Sequence, residues 1–168
     1  MKKTVLVFGI ISGLVSSALM LGNVLFVNRI GFDRAVIVGY TAIVAGFLMV
    51  FFGVRSYREQ SGGRLTFGRG FTVGILITIV SCVLYVVIWQ FVYYNLTPDF
   101  IDRYAAHEIQ KARRSGATEQ AIASMRQEMA DFKVMYDKPL YNAAFTFVEP
   151  FPVGLAVTVI SAAVLRRK

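Results

Sequence analysis

The sequence predicts an all-α protein, a four-helix transmembrane bundle with an external antiparallel helical hairpin between spans three and four. Four apolar stretches carry this prediction, at about residues 4–27, 35–54, 70–95 and 142–165, because each is close to the roughly 20 residues that a spanning helix needs. Composition agrees: 56% of the 168 residues are hydrophobic, against about 45–50% in average soluble domains. We therefore expect a single integral membrane domain over residues 1–168.

Basic residues predict the orientation of the spans. Those in the short flanking segments of one side are Lys2, Lys3, Arg55, Arg58, Arg64, Arg69, Arg166, Arg167 and Lys168. The short loop of the other side carries Arg29 and Arg34, offset by Asp33. Because an excess of Lys and Arg in short loops marks the cytoplasmic side, we expect both termini to be cytoplasmic. This distribution explains the net charge of +8 by topology, with no nucleic acid as partner.

The first stretch has an alternative interpretation, a cleaved signal peptide. Lys2 and Lys3 would form its basic region, and Ser16, Ser17 and Ala18 offer small residues near a cleavage point. The apolar region of a signal peptide usually has about 7–15 residues, whereas this uncharged run continues to Val27. Its length favours an uncleaved helix.

The segment over about residues 97–138 differs from the spans, because its basic and acidic residues nearly balance. Thr97, Pro98 and Asp99 are typical of a helix start, and Gly116 after two arginines is typical of a left-handed helix end. Thr118 can cap a second helix. The apolar residues of that helix recur at spacings of three and four, which predicts the seam of a hairpin: Ile122, Met125, Met129, Phe132 and Tyr136. The seam would pack on the partner helix or on the membrane surface.

Small residues recur along the spans at intervals of four or seven. Those of the first, third and fourth spans include Gly9, Gly13, Gly70, Gly74, Thr78, Gly154 and Thr158, and those of the second are Gly39, Gly46 and Gly53. Such stripes let helix backbones approach closely in lipid. Packing within the bundle is the favoured interpretation, and a homodimer face is the alternative.

Polar residues toward the outer ends of the spans form a candidate polar pocket of Glu149, Gln90, Asn23 and Tyr40. An acid inside a membrane is by default a functional hypothesis. Pro150 and Pro152 follow Glu149 and must kink, unwind or begin the helix there. The alternative is that Glu149 lies at the interface beside a helix N-terminus, where its charge is favoured.

No arrangement in the sequence predicts catalysis, a metal or a cofactor. The loop with Gly62 and Gly63 lacks the spacing of a phosphate-binding loop, and His107 has no ligand partners at helical spacing beyond Glu108. Cys82 lies in an apolar stretch, as a buried thiol would. Arg55, Arg58, Arg64 and Arg69 are instead expected to contact anionic lipid headgroups.

Three segments resemble one bacterial membrane family: "GVRSYREQSGGRLTFGRGF", "TPDFIDRYA" and "YNAAFTFVEPFPVGLAVTVISAAVLRRK". The family is catalogued as domain of unknown function 4199, and the resemblance covers nearly the whole chain. It implies a small multi-pass inner-membrane protein with four helices and no assigned activity.

Two functions remain as hypotheses. The first is a non-enzymatic accessory or scaffold subunit, with the lipid bilayer around it and a membrane or periplasmic protein, or a second copy of the chain, as partner. The second is a small transporter or ion-coupled component that uses Glu149. A chain of only about four spans without a convincing inverted repeat weighs against a complete transporter.

Overall fold

The computed structural model describes residues 1–167, apart from the side chains of Asn28 and Ile30. Over this range the chain is all-helical and contains no β-strand. Its helices are α1 (Lys2–Ile30), α2 (Phe32–Gln60), α3 (Phe67–Asn95), α4 (Phe100–Arg114), α5 (Glu119–Tyr136), α6 (Pro139–Val148) and α7 (Phe151–Val164). The predicted all-α class is confirmed.

Within the described residues, four segments are long and apolar enough to cross a membrane: Lys2–Val27, Phe32–Gln60, Phe67–Asn95 and Pro139–Val164. All four begin two or three residues before the predicted apolar stretches, and the second also ends six residues later, because helical hydrogen bonding continues into polar flanks. Many apolar side chains on these helices face outward, Ile37 and Val164 among them at 69% and 68% exposure. These properties are compatible with a multi-pass membrane protein.

The chain divides into two compact units. We call Met1–Ile88 with Thr146–Lys168 the bundle unit, and Trp89–Phe145 the loop unit. Helices α3 and α6 contribute residues to both. That the chain behaves as a single domain stays a prediction.

Glycines determine how closely the helices of the bundle unit pack. A Cβ placed on Gly9 of α1 would lie 2.7 Å from Val80 Cβ of α3, and one on Gly74 of α3 would lie 2.8 Å from Thr158 Cγ2 of α7. Contacts this short are not tolerated without movement, so the backbones approach more closely than alanine would permit. The predicted small-residue stripes therefore pack within one chain.

Hydroxyl groups join the same helices. Thr78 Oγ1 lies 3.3 Å from the Gly154 carbonyl and 3.1 Å from Thr158 Oγ1. Ser81 Oγ donates to the Gly9 carbonyl at 3.1 Å, and Ser12 Oγ donates to the Gly46 carbonyl at 2.9 Å. In an apolar surrounding a hydroxyl without a partner is costly, so these bonds fix which helix faces meet.

Two contacts gather four helix termini at one end of the bundle unit. Thr4 Oγ1 near the start of α1 donates to Gln60 Oε1 at the end of α2, at 3.4 Å. Leu65, just before α3, and Arg167, just after α7, form an antiparallel bridge with both N–H···O distances at 2.9 Å. This bridge could not be predicted from the sequence, because a single pair of residues leaves no periodic pattern.

The loop unit has well-formed helix ends. Helix α4 ends in a Schellman arrangement, in which the N–H of Ala117 bonds to the Ala112 carbonyl at 3.1 Å and Gly116 has a φ of +79°. Thr118 Oγ1 accepts from the Ala121 N–H at 3.2 Å and caps α5. The predicted cap at Thr97 is wrong by two residues, because Asp99 is the N-cap of α4 and Thr97 instead bonds to the Val92 carbonyl at the end of α3.

The fourth candidate span is interrupted. Helix α6 ends at Val148 and α7 begins at Phe151, with Pro150 as its N-cap. Pro152 has no N–H to donate to the Val148 carbonyl, which explains a break in the hydrogen-bond ladder at this point. The Gly154 N–H bonds to the Pro150 carbonyl at 3.1 Å and restores it.

Candidate functional site

An aromatic cluster lies in the loop unit around the last turns of α3. The Trp89 ring contacts Phe100 of α4 edge-on, with centroids 5.3 Å apart, and the Tyr93 ring contacts Tyr136 of α5 at 5.2 Å. Trp89 and Tyr93 are 6% and 1% exposed. Aromatic pairs of this kind contribute about 0.5–1.5 kcal/mol beyond their buried area. The cluster therefore joins three helices of the loop unit.

Hydrogen bonds fix the turn between α5 and α6 to the same part of α3. Tyr93 OH donates to Asp137 Oδ1 at 2.6 Å, and Tyr94 OH donates to the Asp137 carbonyl at 3.0 Å. Trp89 Nε1 donates to Tyr136 OH at 2.9 Å. The acceptors of these three bonds belong to two consecutive residues, Tyr136 at the end of α5 and Asp137 directly after it. The end of α5 therefore has one defined position against α3.

Gln90, one of the predicted pocket residues, belongs to this network. Its Nε2 donates to the Pro139 carbonyl at 2.9 Å and to Asn142 Oδ1 at 3.2 Å. Both partners lie at the start of α6. The amide of Gln90 thus holds the first turn of α6, a structural task that the sequence alone did not indicate.

Helices α4 and α5 are joined by a charged pair. Lys133 Nζ of α5 donates to Asp102 Oδ2 of α4, and this bond raises the pKa of the Lys133 ammonium above its usual value. Burial raises the pKa of the Tyr104 phenol on α4. The predicted seam residues form the less exposed face of α5, with Ile122 at 2% exposure.

The remaining pocket residues have separate surroundings in the bundle unit. Asn23 Nδ2 donates to the Ala35 carbonyl at 2.8 Å and so links α1 to the start of α2. Tyr40 is 50% exposed. Glu149 is exposed and lies between α6 and α7, where the helix C-terminus before it and the helix N-terminus after it have opposite effects on its charge. A shared pocket of these residues stays a prediction.

The predicted headgroup residues lie at the end of the bundle unit where the four helix termini meet. Arg64 and Arg69 are exposed and Arg58 is half-buried. Arg55 pairs with Glu59, with Nε and Oε1 3.0 Å apart. Their contact with headgroups stays a prediction.

Sequence reasoning missed the aromatic cluster and its bonds to Asp137. One signal was available: Trp89 and Tyr93 are four residues apart, so they share a helix face near the end of a span, where aromatic residues are common. Phe100 lies 11 positions after Trp89, and Tyr136 lies 43 positions after Tyr93. No local pattern connects either residue to α3.

The aromatic cluster, the hydrogen bonds to Asp137 and the Lys133–Asp102 pair position helices against one another. The bond from the Tyr93 hydroxyl to the Asp137 carboxylate, between two side chains that neighbouring residues hold in place, is typical of a structural hydrogen bond. Searches of curated proteins and of solved structures find no match to this chain. A family model described as "Protein of unknown function (DUF4199)" matches residues 7–167. The match covers nearly the whole chain and confirms the resemblance seen in the three segments of the sequence. The protein therefore belongs to the DUF4199 family.

Proposed function

We propose that this protein is a non-enzymatic accessory or scaffold subunit of the bacterial inner membrane, and that α4 and α5 form an external helical hairpin that binds a partner protein. Both termini would be cytoplasmic and the hairpin would lie on the opposite side. The excess of basic residues in the short segments at one end of the bundle unit supports this orientation.

The observation that carries the proposal is the fixed position of α5 in the loop unit. A loop that only connects two spans can remain disordered, because ordering each residue costs about 1–2 kcal/mol of backbone entropy. An ordered connection therefore indicates a function of its own. Here the connection has a capped start at Thr118, an ion pair between Lys133 and Asp102, and an end bonded to Tyr93. This order gives it a defined surface.

The face of α5 opposite the seam is the surface we assign to the partner. Its residues lie at spacings of three and four and are all exposed: Ala123, Gln127, Ala130 and Val134. Val134 is 64% exposed. Three of the four side chains, all but that of Gln127, are small or apolar, and such side chains at this spacing suit packing against a second helix.

A pull-down with matched variants tests this function. Ala130→Glu places a charge on the proposed face, and Ala106→Glu places the same charge at an exposed position of α4. We expect affinity purification from native membranes in mild detergent, followed by mass spectrometry, to recover a partner with the wild type and with Ala106→Glu. Ala130→Glu should lose it. Equal recovery from all three, or a wild type purified only with copies of itself, would contradict the proposal.

The interruption of the fourth span supports a second candidate function, an ion-coupled component that uses Glu149. Helices broken near the membrane are where transporters hold ions and substrates, and Glu149 lies at the break between α6 and α7.

Glu149→Gln tests the second candidate, because it keeps the shape of the side chain and removes its charge. If Glu149 binds an ion, the variant should fold like the wild type and lose proton- or cation-driven uptake in proteoliposomes. If the Glu149 charge only interacts with the N-terminus of α7, the variant should lose at most about 1 kcal/mol of stability. Uptake that is absent from the wild type as well would exclude this candidate.

A further inference from the structure

The end of the bundle unit at which four helix termini meet carries a concentrated positive charge. The segments that reach it are the start of α1, the end of α2, the loop before α3 and the residues after α7. In sequence these segments contain many Lys and Arg and one acid, Glu59. Arg55 already pairs with Glu59 at 3.0 Å. The cations of these segments therefore greatly outnumber the acids that could neutralise them.

The bridge between Leu65 and Arg167 brings two of these cations together. Arg64 and Arg166 each lie one residue from the bridge, on the two paired segments. In a regular antiparallel pair, residues in this diagonal relation are about 7–8 Å apart, a distance that two arginine side chains can span around one phosphate. Both are exposed.

The bridge also directs these arginines outward. Leu65 is 2% exposed and belongs to the core of the bundle unit. Successive residues of an extended segment point to opposite faces, so the side chain of Arg64 points away from that core. Arg166 is exposed as well, although Leu165 directly before it is only 5% exposed and belongs to the same core.

Exposed apolar side chains lie next to the two arginines along the chain. Val164, two residues before Arg166, is 68% exposed, and Phe67, three residues after Arg64, is 41% exposed. A ligand that fits both features carries an anionic phosphate and acyl chains. Free phosphate would leave the apolar side chains uncovered.

We propose that Arg64 and Arg166, held together by the Leu65–Arg167 bridge, form a binding site for the phosphate of an anionic phospholipid. The site is distinct from the partner surface on α5. Arg166 is thereby added to the residues expected to contact headgroups. The function of the bridge is to hold the loop before α3 and the residues after α7 next to each other, so that both segments contact one headgroup.

Native mass spectrometry of the full chain in neutral detergent tests the site. The probes are phosphatidylglycerol, phosphatidylcholine as a zwitterionic lipid, and inorganic phosphate as an anion without acyl chains. We expect the wild type to retain phosphatidylglycerol over the other two. The double variant Arg64→Gln with Arg166→Gln should weaken this binding about 10- to 30-fold, since each of the two arginines contributes a similar share of the attraction to an anionic lipid. Arg29→Gln with Arg34→Gln, which removes two cations outside this end of the bundle unit, should leave it within about twofold.

Three results would overturn the proposal. Equal losses in the two double variants would show attraction by overall charge. Equal retention of phosphatidylcholine would exclude recognition of an anion. Displacement of phosphatidylglycerol by millimolar inorganic phosphate would assign the site to a free anion.

The bridge has its own test at Arg167. Arg167→Gln and Arg167→Pro remove the same charge, but proline also removes the N–H that bonds to the Leu65 carbonyl at 2.9 Å. We expect Arg167→Pro to weaken phosphatidylglycerol binding several-fold more than Arg167→Gln. Equal binding by the two variants would show that the bridge does not position the arginines.

Discussion

Single residues of the bundle unit limit which substitutions its helices can accept. Gly154 shows this most clearly, because a Cβ there would overlap Thr78 Cγ2 and lie 2.7 Å from Phe47 Cε1. One atom would thus meet two neighbouring helices at once. By contrast, a Cβ on Gly22 of α1 would have no atom within 4 Å.

This contrast gives a stability prediction. Gly154→Ala should lower the free energy of unfolding by about 1–3 kcal/mol, the usual cost of overpacking. Gly22→Ala should leave it unchanged or raise it slightly, because alanine favours the helix over glycine. Denaturant titration in detergent micelles measures both. If both variants lose stability equally, contact of the helices with detergent, and not packing between helices, limits the bundle.

A second prediction at the same scale concerns the two tyrosines that bond to Asp137. Tyr93→Phe removes a bond of 2.6 Å from a 1%-exposed side chain to a carboxylate, and bonds to charged groups contribute about 1.5–3 kcal/mol. Tyr94→Phe removes a bond of 3.0 Å to a backbone carbonyl, from a side chain that is 39% exposed. Its loss should cost about 0.5–1.5 kcal/mol.

Native-state hydrogen exchange over residues 135–142 distinguishes the two variants. We expect Tyr93→Phe to speed exchange there more than Tyr94→Phe does. The same rate in both would mean that the turn between α5 and α6 is held by the aromatic contacts alone.

At the scale of the elements, the packing of α4 against α5 depends on a charged pair as well as on aromatic contacts. Asp102 raises the pKa of Lys133. A cation whose pKa is raised by folding contributes stability below its unfolded pKa, and that stability is lost as the pH rises through the folded value. The pair should therefore act at neutral pH and fail only above about pH 10.4, the pKa of a free lysine.

Lys133→Gln tests the pair. At pH 7 to 9 the variant should exchange amide hydrogens in α4 faster than the wild type, and above the raised pKa the two proteins should become alike. Comparison at each pH removes the contribution of other groups that titrate there. A difference that persists undiminished at high pH would show that Lys133 acts through packing.

The elements also show which features the sequence could predict. Local signals succeeded: Gly116 ends α4, Thr118 caps α5, and the seam from Ile122 to Tyr136 is the less exposed face. The start of α4 was predicted two residues early, because Thr97 has the chemistry of a cap but uses it at the end of α3. Chain-distant pairs such as Tyr93 with Asp137 and Leu65 with Arg167 could not be predicted, since they depend on how helices meet.

At the scale of the whole molecule, one arrangement of helices and charges underlies the proposed function. The described chain has four apolar helical segments, and an ordered polar segment lies between the third and the fourth. In sequence, half of the basic residues lie at the start of α1, between the last turns of α2 and the first turn of α3, and after α7. The sequence predicted the number of candidate spans, because about 20 consecutive apolar residues are a signal that does not depend on any other part of the chain. It could not identify a partner, because binding surfaces carry no comparable period.

Alkaline phosphatase fusions test this arrangement most directly, since the enzyme is active only outside the cytoplasm. Fusion after Lys168 should give little activity, because the basic segments at that end favour the cytoplasmic side. Fusion after Gly116, between α4 and α5, should give high activity. High activity after Lys168 with little after Gly116 would reverse the orientation, and equal activity at both sites would contradict the four-span arrangement itself.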